Sequence, residues 1–118
     1  MLTYHLALQH ELETQTAEYA PSAFQQEGFI HTTRRREHLH EVANRYYQGD
    51  LRAYIVIAIE LAALTVMWRY DLPNDEYPHI YGPIPRYAIV LTEPISRAAD
   101  GAFLALPLDQ KRGGKIEC

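Results

Sequence analysis

The stretch Tyr54-Ile55-Val56-Ile57-Ala58-Ile59 does most to limit what this chain can fold into. Its β-branched residues are stiff at the first side-chain torsion and fit a pleated surface better than a helix. The run does not alternate with polar residues, so it predicts a central strand covered on both faces, the heart of the core. Other segments must supply the covering layers.

The rest of the chain offers candidates for those layers. In Thr3-Tyr4-His5-Leu6-Ala7-Leu8 the large apolar residues recur at every second position, which predicts a first strand with one strongly apolar face. The polar segment from Gln9 to Glu18 suits a short surface helix. A second short helix is expected from Pro21 to Gln26, ended by Gly28. From Arg34 to Gln48 the spacing of Leu39, Val42, Ala43 and Tyr46 predicts one long amphipathic helix, with Thr32 or Thr33 as its N-cap and Gly49 as its stop. Further strands are expected over Leu64–Tyr70, Tyr87–Leu91 and Ala102–Leu106. Between them, Asp71 to Pro85 holds Pro73, Pro78, Gly82, Pro83 and Pro85 and reads as a loop. Strand, short helices, long helix and then four strands favour an α+β class over an alternating one.

Residues 1–108 are expected to form a single domain and Asp109–Cys118, polar and with Gly113-Gly114, a mobile tail. A content of 47% hydrophobic and 22% charged residues is that of a chain that folds unaided. The net charge of −4 excludes a protein whose whole surface grips nucleic acid, although a local basic patch is compatible with it. Cys118 alone forms neither an internal disulfide nor a zinc site. No apolar run reaches the roughly 18 to 20 residues a bilayer requires, and a cytoplasmic protein without membrane partner is expected.

Two stretches carry the suggestive chemistry. In Gly28-Phe29-Ile30-His31-Thr32-Thr33, followed by Arg34-Arg35-Arg36, the expected strand end meets the expected helix start. An imidazole, two hydroxyls and guanidiniums at a helix N-terminus would make an anion or nucleotide cradle. The competing readings are a histidine that caps its own helix and a solvated basic face, since successive helical residues point about 100° apart. In Tyr77-Pro78-His79-Ile80-Tyr81-Gly82-Pro83 a base and a phenol sit in a proline-stiffened segment that could wall a ligand ring. The alternative there is a rigid connection with Tyr81 packed on the core. His38 and His40 lie on different sides of a helix, so no metal site is expected. His5 and Asp71 are of interest because their elements could end near His31.

These motifs, together with Val42-Ala43-Asn44-Arg45-Tyr46-Tyr47 and Tyr70-Asp71, occur in the order seen in the domain-of-unknown-function 952 family, which the chain resembles from about Tyr4 to Leu106. It departs from that pattern in having Thr32-Thr33 in place of Cys-Ser, Tyr77 in place of Phe and Asp71 in place of Glu. The family looks like a distant member of the ADP-ribosyltransferase-like superfamily, closest to the RNA 2′-phosphotransferases. That resemblance implies a split, curved β-sheet with one long and two short helices, and an extended cleft for NAD as substrate. By it, His31 would hold the ribose hydroxyls, Thr32 and Thr33 would contact phosphate or ribose, and Arg34 would neutralise pyrophosphate. His79 and Tyr81 would line the nicotinamide or acceptor side, and Asp71 would be the candidate carboxylate. The implied activity is ADP-ribosyl or phosphoryl transfer to an RNA, protein or small-molecule acceptor. A non-catalytic module for a nucleotide or anionic metabolite is the alternative.

Overall fold

The computed structural model describes residues 1–107, so the tail expected over 109–118 lies outside the described residues. The expected central strand is β4, Tyr54–Glu60, antiparallel to β1, Leu2–Leu8, on one side and to β8, Ile89–Pro94, on the other. Its side chains feed two cores. Val56 packs with Leu6, Leu39, Ala43, Phe103 and Leu106, whereas Ile57 and Ile59 pack with Ala7, Leu12, Tyr19, Ile30, Ile80 and Ile84. Opposite faces of one strand are thus covered by different layers, as its unbroken apolar run requires.

The first layer is helical. A 3-10 turn, Arg36–His38, runs into its helix α3, Leu39–Tyr47, while two short helices earlier in the chain, α1 at Gln9–Thr14 and α2 at Phe24–Glu27, put Leu12 and Phe24 against the other core. Gly28 ends α2 in the left-handed region, at φ 82°. The buried stripe of α3 differs from expectation: Leu39 and Ala43 are buried, but Tyr46 is 65% exposed and Tyr47 packs on the core instead. Positions 39, 43 and 47 follow a spacing of four, so the stripe turns away from Tyr46. Neither Thr32 nor Thr33 caps the helix. Thr33 exchanges two backbone hydrogen bonds of 2.8 Å with Tyr4, and the Thr32 hydroxyl donates to the Pro78 carbonyl at 2.6 Å. Tertiary pairing outweighs the local capping signal, and His38 stands at the N-cap without a side-chain bond to the helix N–H groups.

The second layer is a sheet whose middle strand the sequence reading placed in a loop. β3 (Ile30–His31), β6 (Pro78–Ile80) and β5 (Trp68–Tyr70) form an antiparallel sheet in that order, and β7 (Ile84–Pro85) pairs with β2 (Glu18–Tyr19). The prolines permit this because Pro78 is the first residue of its strand and Pro85 lies in a two-residue pair, so few ladder donors are lost. Three other expectations shift. Of Leu64–Tyr70 only Trp68–Tyr70 is strand, preceded by a 3-10 turn at Leu61–Ala63. Arg86–Ala88 is another 3-10 turn, which delays β8 to Ile89. In Ala102–Leu106, Phe103 makes a single bridge to Arg97 while Asn44 bonds both its N–H and its carbonyl. The architecture is a mixed α and β one with several antiparallel sheets. No helix among the described residues is long and apolar enough to cross a membrane.

Candidate functional site

Antiparallel pairing sets the site. His31 lies opposite His79, and His79 lies opposite Arg69, so the three side chains form a row across β3, β6 and β5 on one sheet face. On the other face Ile30 and Ile80 are buried in the core, which fixes the register: a slip of one residue would bury the histidines and expose the isoleucines. The alternation also brings Phe29, two residues before His31, and Tyr81, two after His79, to the same face. The Phe29 ring stacks on His79 with centroids 4.1 Å apart and lies 4.7 Å from that of His31. The two imidazole centroids are 5.4 Å apart. His31 and His79 are therefore neighbours side by side on one surface.

Asp71, just beyond β5, organises the far end of the row. Its Oδ2 accepts from His79 Nδ1 at 2.7 Å and from the Tyr81 hydroxyl, and its Oδ1 accepts from Arg69 Nε at 2.5 Å. Hydrogen bonds from Tyr81, Arg69 and His79 hold the Asp71 carboxyl at about 2, below its ordinary value. The same carboxylate raises the Tyr81 phenol. The Arg69 guanidinium sits 4.7 Å above the Tyr81 ring, in cation–π range. His79 is shielded, with 12% of its side chain exposed, whereas His31 is 53% exposed and faces Glu27 Oε1 at 3.2 Å.

Behind this face lies a buried polar relay. The carbonyl of His31 accepts from His5 Nδ1 at 2.7 Å, and His5 Nε2 lies 2.9 Å from the Tyr19 hydroxyl. A carbonyl only accepts, so Nδ1 carries the hydrogen and the Tyr19 hydroxyl donates to Nε2. Burial lowers the His5 imidazole to about 4 and pushes the Tyr19 phenol up, so both are neutral at physiological pH. β1 and β3 meet at the Tyr4–Thr33 bridge, and beside that bridge the His5 side chain takes the place of a backbone partner for His31.

Other expected site residues turn elsewhere. Thr32 and Thr33 are buried, and the Thr3 hydroxyl donates to that of Thr32 at 2.7 Å. Arg34 bonds Asp75 through its Nε and Nη2, Arg35 pairs with Glu76, and Arg36 grips both oxygens of Glu93. The basic run is thus a set of clamps on the β5–β6 connection and on β8, and the cation on the histidine face is Arg69. Gly82, next to Tyr81, is packed so closely that a Cβ there would lie 2.5 Å from Val66 Cγ1. Sequence reading missed Phe29, Glu27 and Arg69 as members of the cluster. Strand alternation from His31 and Asp71 would have found Phe29 and Arg69, once β5 and β6 were known to be strands. A surface hollow of about 540 Å³ lies elsewhere, along Glu13, Thr16, Arg86 and the start of β8. Among the described residues no group of three or more His, Cys, Asp or Glu side chains is arranged to hold a metal ion.

Residues 7–92 match a family described as a protein of unknown function (DUF952). No curated protein matches the chain. Among solved structures, the crystal structure of protein CC0527 from Caulobacter crescentus is similar at 19% identity and TM-score 0.71, covering 100% of both chains. A double mutant of that protein gives 18% identity and the same TM-score of 0.71. Its solution NMR structure is similar at 21% identity and TM-score 0.63, over 94% of this chain and 95% of the other. At these identities the likeness concerns the fold alone.

Proposed function

The chain belongs to the DUF952 family of proteins of unknown function, and from that premise we propose that it is an NAD-binding transferase of the ADP-ribosyltransferase-like type whose site is the face of β3, β6 and β5. The observation that carries the reading is the direct pairing of His31 and His79 on adjacent strands, with Phe29, Tyr81 and Arg69 on the same surface. His31, more than half exposed, is placed to bond ribose hydroxyls. Arg69, bonded to Asp71 through its Nε and lying over the Tyr81 ring, is the cation on this face that would meet a phosphate, whereas Arg34 is turned to Asp75. Phe29, His79 and Tyr81 offer aromatic surface to the nicotinamide ring. Transfer of an ADP-ribosyl group asks mainly for orientation and electrostatic stabilisation, which an ordered polar row provides.

A second reading, a module that binds a nucleotide or anionic metabolite without transfer, is favoured by one feature. The Asp71 carboxylate is fully engaged by three donors and is a weak base at about 2. Calorimetric titration with NAD, together with an assay for released nicotinamide, separates the two. His31→Ala should weaken NAD binding by about 0.5 to 1.5 kcal/mol, or about 1.5 to 3 if the imidazole is charged, without loss of the fold. His38→Ala, whose ring pairs with Glu76 away from the row, should do much less. Binding without nicotinamide release would favour the module. No NAD binding by the parent protein, or equal affinity in the two variants, would remove the NAD reading.

A further inference from the structure

We propose that His79 takes the proton from an incoming hydroxyl, so that the acceptor is an alcohol or water and not a phosphate or carboxylate. The proposal rests on the NAD reading above and names its acceptor class. A carboxylate oxygen only accepts hydrogen bonds, so the 2.7 Å contact between Asp71 Oδ2 and His79 Nδ1 places a hydrogen on Nδ1. The Tyr81 hydroxyl on the same oxygen and Arg69 Nε on the other keep Asp71 ionised and aimed at the ring. The neutral imidazole then carries its lone pair on Nε2, which has no hydrogen-bond partner among the described residues. Phe29, stacked at 4.1 Å and 16°, fixes the plane of the ring. A carboxylate-oriented imidazole with a free Nε2 is the arrangement of a general base, and Asp71 and Tyr81 are its positioning residues.

The acceptor class follows from what such a base is useful for. Phosphates and carboxylates have already lost their protons at neutral pH, whereas a hydroxyl has not. As the hydroxyl proton moves to Nε2, the acceptor oxygen bonds the ribose C1′ and the bond from C1′ to the ring nitrogen breaks. Its electron pair stays on the nitrogen, so the cationic ring leaves as neutral nicotinamide. The products are an O-linked ADP-ribose, or free ADP-ribose when water is the acceptor, and an imidazolium that returns its proton to solvent. The groups around the ring are Asp71 and Arg69 from the β5 side, His31 from β3 with Glu27 behind it, and Tyr81 just beyond β6.

The test uses the full chain. Long-range proton–nitrogen NMR without ligand should show His79 protonated on Nδ1 in the parent protein, with the Nε2–H form gaining in Asp71→Asn. With NAD and either water or methanol as acceptor, His79→Gln should lower nicotinamide release by about 10² to 10⁴-fold while NAD affinity changes only a few-fold. Asp71→Asn should lower release in the same direction, and methanol should yield the O-methyl product. Melting curves confirm that each variant is folded. An Nε2–H tautomer in the parent, release unchanged in His79→Gln, or NAD binding without release overturns this proposal and leaves NAD binding standing. Absence of NAD binding by the parent overturns both.

Discussion

Acid should destabilise this protein through His5, a residue remote from solvent and sequence-distant from the face it supports. In the fold His5 is buried with an imidazole at about 4, against an ordinary value of 6.5, because desolvation penalises the charged ring more than its bond to the His31 carbonyl favours it. The unfolded chain therefore binds a proton that the native state refuses. The stabilising contribution of neutral His5 is fully present above about pH 6.5 and is lost progressively as the pH falls toward 4. A difference of about 2.5 units at about 1.36 kcal/mol per unit makes the loss roughly 3 kcal/mol across that window. A single domain of this size has a total stability of about 5 to 15 kcal/mol, so the effect is large enough to measure by urea unfolding at pH 7.5, 5.5 and 4.5. The control is His5→Phe. It should be less stable at pH 7.5, because the His31 carbonyl and the Tyr19 hydroxyl lose their partner at a cost of about 1 to 3 kcal/mol each when left unsatisfied. Its stability should also fall less steeply with acid, since the proton that the native fold refuses at His5 has no site in the variant. Equal slopes in parent and variant would refute the buried neutral tautomer and, with it, the bracing of His31 from behind.

Two further outcomes follow from the same contacts. Ile57→Ala should destabilise by about 2 to 5 kcal/mol in thermal or urea unfolding, because Ile57 is fully buried between β4 and the second layer; an unchanged transition would mean that β4 is not the core strand. Carbon-detected NMR titration should place the Asp71 midpoint at about 2, and Tyr81→Phe should move it up toward the ordinary carboxylate range, because the strongest of its three hydrogen bonds is removed. Order imposed by Asp71 is thus present above about pH 4 and lost as the pH falls through 2. No movement in Tyr81→Phe would show that the phenol does not hold the carboxylate.

How far the sequence foretold this arrangement depends on where local and long-range forces agreed. β4 was legible because a β-branched run without alternation has few other destinations, and β1 was legible as a strand from its alternation, although both of its faces are covered: Leu6 packs with Val56, while Thr3, His5 and Ala7 are buried on the other side. Phe29-Ile30-His31 was legible as a strand end for the same reason. Thr32 and Thr33 misled because a hydroxyl before a helical stretch is a good cap locally, while here a backbone bridge to Tyr4 and a bond to Pro78 absorb both residues and delay the helix to Arg36. The larger loss was β6. Counting Pro73, Pro78, Pro83 and Pro85 as breakers hid a strand that begins on a proline and runs only to Ile80, and with it the register that sets His79 between His31 and Arg69. The arginine run was ambiguous because its partners, Asp75, Glu76 and Glu93, lie far along the chain and only the fold brings them near.

The central claim is that the row of His31, His79 and Arg69 is a ligand face, and amide and imidazole chemical-shift mapping during NAD addition tests it most directly. Saturable shifts should be largest at Phe29, His31, Arg69, His79 and Tyr81, with small ones at Arg34 and Arg35, which are tied to Asp75 and Glu76. Shifts centred on the hollow beside Arg86 and β8, or none at millimolar NAD, would contradict the account.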